Sequence, residues 1–531
     1  MTLASAPPQG PQLQTYGAAV VTPHALASQA AMTALGRGGN AVDAALAADA
    51  VLGVVAPETC GIGGDLFALV HRDGEDRPNV LNSSGRAGAG ADAGRLRAAG
   101  HTVVPPFDPQ AVTVPGCVDG WIALHDRFGT LDWPDLLGPA LGLARDGFPA
   151  SPELAAALTA RRDQLAAQPA SLGLFPGGDP PAVGSRLARP GLCGVLGEIA
   201  SRGRAGFYMG KAGAAVVAAT GGVLTEADLA SPSSDWVEPL ALDVFGLTGW
   251  TTPPNTQGYL TLASAGLYEL LRPPSDSEDP LAWHLAIEAY RFMAADRGEV
   301  LSDPQFAPVP ADELVSLTRL TRSLGLVDRD RAAILAPPLP APGGTAYLCV
   351  VDHEGLGVSF IQSNFMGIGS GIGAGEAGFF LHNRGAGFDL RPGHPNELAP
   401  GKRPLHTLSP SLWTRGGRLA GLLGTRGGDY QPQLLLQTAI RVFGSRMQPG
   451  PAQARPRWMI QPINAAASVV AVESHAPPEV IHGLEARGHQ VAVRHQTQHG
   501  WGPVSVITID ENGLRTAAAD PRGATATAAV S

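Results

Sequence analysis

The chain has 531 residues, long enough to bury a large core without disulfide or metal staples. Hydrophobic residues make up 44% and charged residues only 16%, and Gly plus Pro stay below the share that marks low-complexity chains, so a folded globular protein is expected. A formal net charge of −10 argues against a nucleic-acid binder, and with only two lysines, Lys211 and Lys402, a lysine Schiff-base or phosphate site is disfavoured.

In chain order, the segment Met1–Tyr16 has no basic start followed by an apolar run, so no secretory signal is expected. Asn40 can cap a helix that runs to Val55 and stops before Pro57. The apolar stretch Ala44–Ala56 is too short for a membrane span and contains Asp49, which leaves a soluble cytoplasmic protein as the expectation. Ser151, Pro152 and Glu153 form an N-cap, first-turn proline and early acid ahead of a helix from Leu154 to Leu165. Asp279 and Pro280 open another in the same way, to about Glu299. Within it His284 and Glu288 stand i,i+4, read as a structural pair and not as metal ligands.

The second half changes character. Tyr347–Val351 and Gly357–Gln362 flank a turn and read as a hairpin. Ser411–Gly424 repeats the plan around Gly416 and Gly417, and Val504–Asp510 repeats it before Glu511, Asn512 and Gly513. Three hairpins predict antiparallel sheet with helices packed on it. The switch falls in a Pro/Gly tract from Ala336 to Gly344, read as an exposed strap leading to Thr345. Cys60, Cys117, Cys193 and Cys349 form no CxxC pair and read as free thiols of a reducing compartment.

The common catalytic motifs are missing: no HExxH, no phosphate-binding GxxxxGK[ST], no GxSxG. Gly61, Gly63 and Gly64 follow a helix and not a strand, and read as tight backbone packing, not a nucleotide loop. What remains is Gly343, Gly344, Thr345. A threonine hydroxyl needs an adjacent base, and cutting the Gly344–Thr345 bond would supply one. The freed α-amine titrates near ~7.7–8 and can accept the hydroxyl's proton. Read by itself, the junction is more readily a glycine turn before a strand, with Thr345 at its edge.

Several segments resemble the gamma-glutamyltransferase (gamma-glutamyltranspeptidase) family of N-terminal-nucleophile hydrolases. They are Gly38–Ala45, Gly61–Gly64, Val114–Gly116 with Gly120, Phe207–Gly210, Gly221–Gly222 with Asp228, and Ala295–Arg297 with Asp303. Thr345 with Val350–Asp352, Lys402–Pro404 with Ser409–Pro410, and Gly427–Gly428 complete an ordered set over nearly the whole chain. The resemblance implies an α+β fold, a four-layer αββα sandwich forming a single large domain from a self-cleaved precursor. Its large subunit would be 1–344 and its small subunit 345–531, with room for a homo-oligomer of such heterodimers. It implies an acyl-enzyme on Thr345 formed from a small-molecule amide, passed to water or an amine, with no metal, organic cofactor, nucleic acid or membrane partner.

Carried over by position, Thr345 is the nucleophile and Gly427 and Gly428 supply oxyanion-hole N–H groups. Ser363 stands where the family has a threonine supporting the nucleophile's hydroxyl. Asp429 and Tyr430 follow the glycine pair and are expected to line the pocket. The departures have a direction. The family's aspartate for the substrate α-ammonium falls at Gly387, a glutamine just upstream becomes Arg384, and a serine pair becomes His406 and Thr407. The α-carboxylate-binding arginine has no match, although Arg86 lies about two positions away. Phe388–Lys402 is shorter than in relatives with a lid loop. A glutathione-type gamma-glutamyl substrate is the family expectation. A pocket with arginines and no acid instead suits an amino-free acyl group of the glutaryl or oxamate type. Each arginine is equally readable as a structural ion-pair partner. A reading of another class, an unprocessed binding scaffold, would leave the chain as a single band on a denaturing gel.

Overall fold

The computed structural model describes residues 12–335, 343–464, 467–495 and 501–531. The Pro/Gly tract lies largely outside them, so the expected strap is described only at Gly343 and Gly344.

Strand formation follows the apolar content of short segments bounded by turns. In chain order the strands of the two main sheets are β1 (Gln12–Thr15), β2 (Ala19–Thr22), β3 (Asp65–His71), β4 (Asn79–Ser83), β5 (Asp235–Val237), β6 (Leu240–Val244) and β7 (Leu247–Thr251). Beyond the tract come β8 (Gly344–Val351), β9 (Gly357–Phe365), β10 (Ser411–Arg415), β11 (Arg418–Thr425), β12 (Val504–Ile509), β13 (Arg515–Ala518) and β14 (Thr527–Val530). One sheet has the order β14-β2-β8-β9-β3-β4-β5 and the other β1-β13-β12-β11-β10-β7-β6, with antiparallel neighbours throughout.

Period-two alternation sorts the side chains into three cores. Ala346, Leu348 and Val350 of β8 face outward to helices α1 (Ala25–Gly36) and α2 (Ala41–Val55). Tyr347, Cys349 and Val351 face inward and pack between the sheets with Ile361, Leu412, Leu422 and Ile507. The outer face of the second sheet packs Trp413, Leu423 and Val504 on α3 (Tyr259–Leu270), α4 (Pro280–Ala294) and α5 (Gln431–Ala439). These are the four layers of an αββα sandwich. Among the described residues no helix is long and apolar enough to cross a membrane.

All three expected hairpins form, as β8–β9, β10–β11 and β12–β13. Asn40 caps α2 in a capping box with Asp43. Two helices end sooner than expected. The one opened by Ser151 stops at Ala160 and resumes at Arg162, and α4 stops at Ala294. The stretch before the tract joins its helices to β1–β7, which supply four of the seven strands of one sheet and three of the seven of the other. Strands such as β3 are buried on both faces, so they carry no polar alternation to betray them.

The sheets close most tightly beside the start of β8. A Cβ on Gly424 would stand 2.1 Å from a ring carbon of Tyr347, so glycine there admits the tyrosine between the sheets. Gly424→Ala should cost about 1–3 kcal/mol of unfolding free energy in urea titration, as overpacking does. Adding Tyr347→Val should restore part of that loss.

Candidate active site

Thr345 follows the first residue of β8, Ser363 sits near the end of β9, and both side chains are buried. The Ser363 hydroxyl donates to the carbonyl of Gly344 at 2.5 Å and accepts from the Phe365 N–H at 2.8 Å. Its one proton is thereby used, so the 3.1 Å contact between Thr345 Oγ1 and Ser363 Oγ has Thr345 as donor. A bulge between Gly344 and Ala346 in the β8–β9 pairing sets this geometry. Glycines let the backbones approach. A Cβ on Gly64 would stand 2.4 Å from the Ser363 carbonyl oxygen, and one on Gly344 would stand 2.8 Å from that of Glu58. The glycine-rich turn after α2 is therefore the floor beneath Ser363.

Gly427 and Gly428 follow β11 with φ of 132° and 57°, values that favour glycine. A Cβ on Gly343 would stand 2.9 Å from Gly428 Cα, so the residues just before Thr345 lie against this loop. The loop is pinned from several directions. The Tyr430 N–H donates to the Gly427 carbonyl at 3.0 Å. The Gln257 side-chain amide donates to the Gly428 carbonyl at 3.1 Å and to the Thr407 carbonyl at 2.9 Å. Asp429 is bound by Arg297. Tyr430 is half-buried, and burial pushes its phenol up to about 12.

Arg384 closes the inner side. Its guanidinium carbon lies 3.3 Å from the centre of the Phe365 ring, and Nη1 donates to Thr407 Oγ1 at 3.0 Å. Burial lowers its pKa to about 9, still a cation at neutral pH. Among the described residues it makes no ion pair, and its Nε is buried without a hydrogen-bond partner. A Cβ on Gly387 would stand 2.7 Å from the Leu405 carbonyl oxygen and 2.8 Å from Arg384 Nη2. The guanidinium thus occupies the ground an aspartate at 387 would need.

His406 stands behind Thr407 and donates from Nε2 to Asp65 at 3.1 Å, while its Nδ1 accepts the Leu408 N–H. Burial, reinforced by Arg384, pushes its imidazole down to about 4, so it is neutral at pH 7. Asp65 also accepts the Gly85 N–H at 2.9 Å and lies 3.4 Å from His382 Nδ1. Burial alone would raise this carboxyl, yet His382 and His406 hold it well below the usual range.

The structure therefore brings together Thr345, Ser363, Gly427, Gly428, Arg384, Thr407 and the segment through Asp429 and Tyr430. Arg86 is engaged elsewhere. It bonds Asp303 at 2.9 Å and the Gly401 carbonyl at 3.1 Å, with Asp235 at 3.6 Å, so its charge is already neutralised. Sequence reasoning gave no site role to Asp65, His382, Gln257 or Arg297. Asp65 had a signal, an acid opening an apolar strand, and Arg297 stood in one of the matching segments; the other two had none. His284, Glu288 and His489 bring possible ligand atoms within 4.8 Å of one another. They are already bonded: His284 to His489 at 2.8 Å and to the Asp328 carbonyl, Glu288 to Arg291 and the Ala333 N–H.

A buried threonine at the head of a strand between two sheets, facing a glycine loop, defines an N-terminal-nucleophile type of amide hydrolase. The Gamma-glutamyltranspeptidase family description matches residues 27–530, and the chain belongs to that family. It is 35% identical over 515 residues to the "Glutathione hydrolase-like YwrD proenzyme" of Bacillus subtilis, covering 95% of this chain and 97% of that protein. It is 34% identical to the "Oxamate amidohydrolase proenzyme" of Klebsiella pneumoniae, covering 96% and 98%. Among solved structures, cephalosporin acylase from Bacillus halodurans superposes with a TM-score of 0.91 at 31% identity, over 100% of this chain and 98% of that one. The protein is thus an amide-hydrolysing enzyme of this family.

The Asp65 carboxyl is depressed in the folded state, so its stabilising contribution is full above the unfolded value near ~4 and is lost progressively as pH falls from there toward the lower folded value. Chemical denaturation between about pH 5 and 2 should show the wild type weakening more steeply than Asp65→Asn.

Proposed function

We propose that Thr345 is the nucleophile and that the chain cleaves itself at Gly344–Thr345 into subunits 1–344 and 345–531. The observation that carries this is the hydrogen-bonded triangle of Thr345 Oγ1, Ser363 Oγ and the Gly344 carbonyl. In the precursor, Thr345 Oγ1 attacks the Gly344 carbonyl carbon while Ser363 donates to the carbonyl oxygen. The C–N bond breaks, the nitrogen takes the proton released by the hydroxyl, and Gly344 is left as an ester on Thr345. Water hydrolyses the ester, giving a Gly344 carboxylate and a free Thr345 α-amine.

That amine then serves as base. Thr345 Oγ1 attacks a substrate amide carbon, and the oxyanion is held by backbone N–H groups of Gly427 and Gly428, each worth about 3–4 kcal/mol. The leaving nitrogen takes the proton and departs, and water or an amine resolves the acyl-enzyme. No step calls on a cofactor. Ser363, Gln257 and Arg297 position the reacting groups.

The family and the YwrD-type relative support a gamma-glutamyl, glutathione-type amide. A specific observation favours a second acyl group. Among the described residues Arg384 is a buried cation without a direct ion pair, with Asp429 and Asp65 acting on it only from nearby, and Gly387 carries no side chain to receive an α-ammonium. An acyl chain ending in carboxylate and lacking the amino group fits this pocket, as the names of the oxamate amidohydrolase and acylase relatives also suggest. We place the protein in the cytoplasm, where its four free cysteines stay reduced.

On a denaturing gel the wild type should run as two bands, the smaller beginning at Thr345, and Thr345→Ala as one. An intact, active wild type would remove the mechanism. Ser363→Ala should slow both cleavage and turnover by roughly tenfold or more, as loss of a hydrogen bond to a reacting group does. Glutaryl-4-nitroanilide should be hydrolysed faster than its gamma-glutamyl counterpart; strong preference for the amino-bearing compound would return the reading to the family default.

A further inference from the structure

The rim of the site outside the acyl pocket carries a second unneutralised cation. Arg161 lies at the break between the helices Pro152–Ala160 and Arg162–Leu165. Its Nη2 stands 4.0 Å from the position of a Cβ on Gly367, and Gly367 Cα stands 2.9 Å from that of a Cβ on Gly344. From there the guanidinium reaches across to Phe107 and lies over its ring at 4.6 Å. Phe107 is exposed and follows Pro106, whose carbonyl accepts the Asn383 side-chain amide at 3.1 Å. Asn383 directly precedes Arg384. The Arg161–Phe107 pair therefore spans the opening between the scissile bond and the turn that carries the acyl-pocket arginine.

Arg161 is half-buried, and among the described residues its side chain hydrogen-bonds only to the neutral Gln164, at 3.1 Å. Burial lowers its pKa. The neighbouring Arg162, by contrast, pairs with Asp179. In a chain with a formal net charge of −10, an arginine beside the nucleophile that has no acidic partner is conspicuous. Arg426, just before Gly427, likewise makes no side-chain hydrogen bond or ion pair among the described residues; the Glu58 carboxyl near it is pushed up to about 8 by burial, so it stays largely neutral at pH 7. A planar guanidinium with free N–H groups matches a carboxylate two-pronged, and an aromatic face beside it matches the apolar or aromatic body of an amine.

We propose that Arg161, stacked on Phe107, forms the subsite for the leaving amine, and that it selects amines bearing a carboxylate, such as an amino acid, a peptide or an aminobenzoate. The same subsite would receive an amine acceptor of that class. With Arg384 on the acyl side, the substrate is then anionic at both ends of the scissile amide. The inference rests on Thr345 as nucleophile but adds a residue that sequence motifs do not mark.

The test uses one acyl group, whichever of glutaryl and gamma-glutamyl the processed enzyme hydrolyses faster, on two leaving groups: 4-nitroaniline and 3-carboxy-4-nitroaniline. The wild type should prefer the carboxylated anilide. Arg161→Gln should lower the ratio of kcat/KM for the carboxylated over the plain anilide by roughly tenfold or more, chiefly through KM. Arg161→Lys, which keeps the charge without the planar fork, should restore part of the ratio, a pattern that mere loosening of the fold would not give. A processed wild type that does not distinguish the two anilides, or an Arg161→Gln that slows both alike, overturns the subsite and leaves Thr345 untouched. A wild type that hydrolyses neither overturns the reading of the function, and the subsite falls with it.

Discussion

The hydroxyl of Ser363 is bonded on three sides, to the Thr345 hydroxyl, the Gly344 carbonyl and the Phe365 N–H. Three bonds leave it one arrangement, and that arrangement aims the Thr345 oxygen along the peptide that precedes it. Such aim needs β8 and β9 in fixed register up to their last residues. The bulge at Gly344–Ala346, the Gly64 floor and the Tyr347–Gly424 fit between the sheets hold it. The site is thus a consequence of how two sheets close on each other, and most of its glycines mark places where backbone or ring meets backbone.

Electrostatics divides the arginines into two populations. Arg86, Arg297 and Arg403 are matched to Asp303, Asp429 and Asp235 and brace the surrounding loops. Arg384, Arg161 and Arg426, around the proposed nucleophile, have no ion pair among the described residues. A buried cation without a carboxylate carries a desolvation cost. For Arg384 the Phe365 face and the Thr407 hydroxyl offset it in part. The remainder is a standing preference for an anion in the pocket. Asp65, shared by His382 and His406, orients the His406 imidazole behind this pocket. Burial and the Arg384 charge, against the pull of Asp65, keep His406 neutral at pH 7, so a second positive charge next to Arg384 is avoided.

Much of this was legible in residue order. The capping signature at Asn40, the three hairpin turns and the Gly-Gly-Thr junction are local features, and local chemistry suffices to read them. Arg86 shows the limit of such reading. Two positions from an expected carboxylate-binding arginine, it looked available, but its partner Asp303 lies 217 positions away and only folding brings it near. Gly387 shows the converse. Its loss of a side chain was visible in the sequence, while the reason, Arg384 filling the space, was not.

The sequence by itself determined the nucleophile candidate, the glycine pair and the class of fold, because each is written in contiguous residues whose conformational demands are local. Only the tertiary structure decided which arginines are neutralised and which face the site. It also decided that the stretch before the tract supplies four strands of one sheet and three of the other, and that Gln257 and Asp65 pin the loops. Ion pairing and burial depend on partners hundreds of residues apart, and strands buried on both faces leave no periodic trace in the chain.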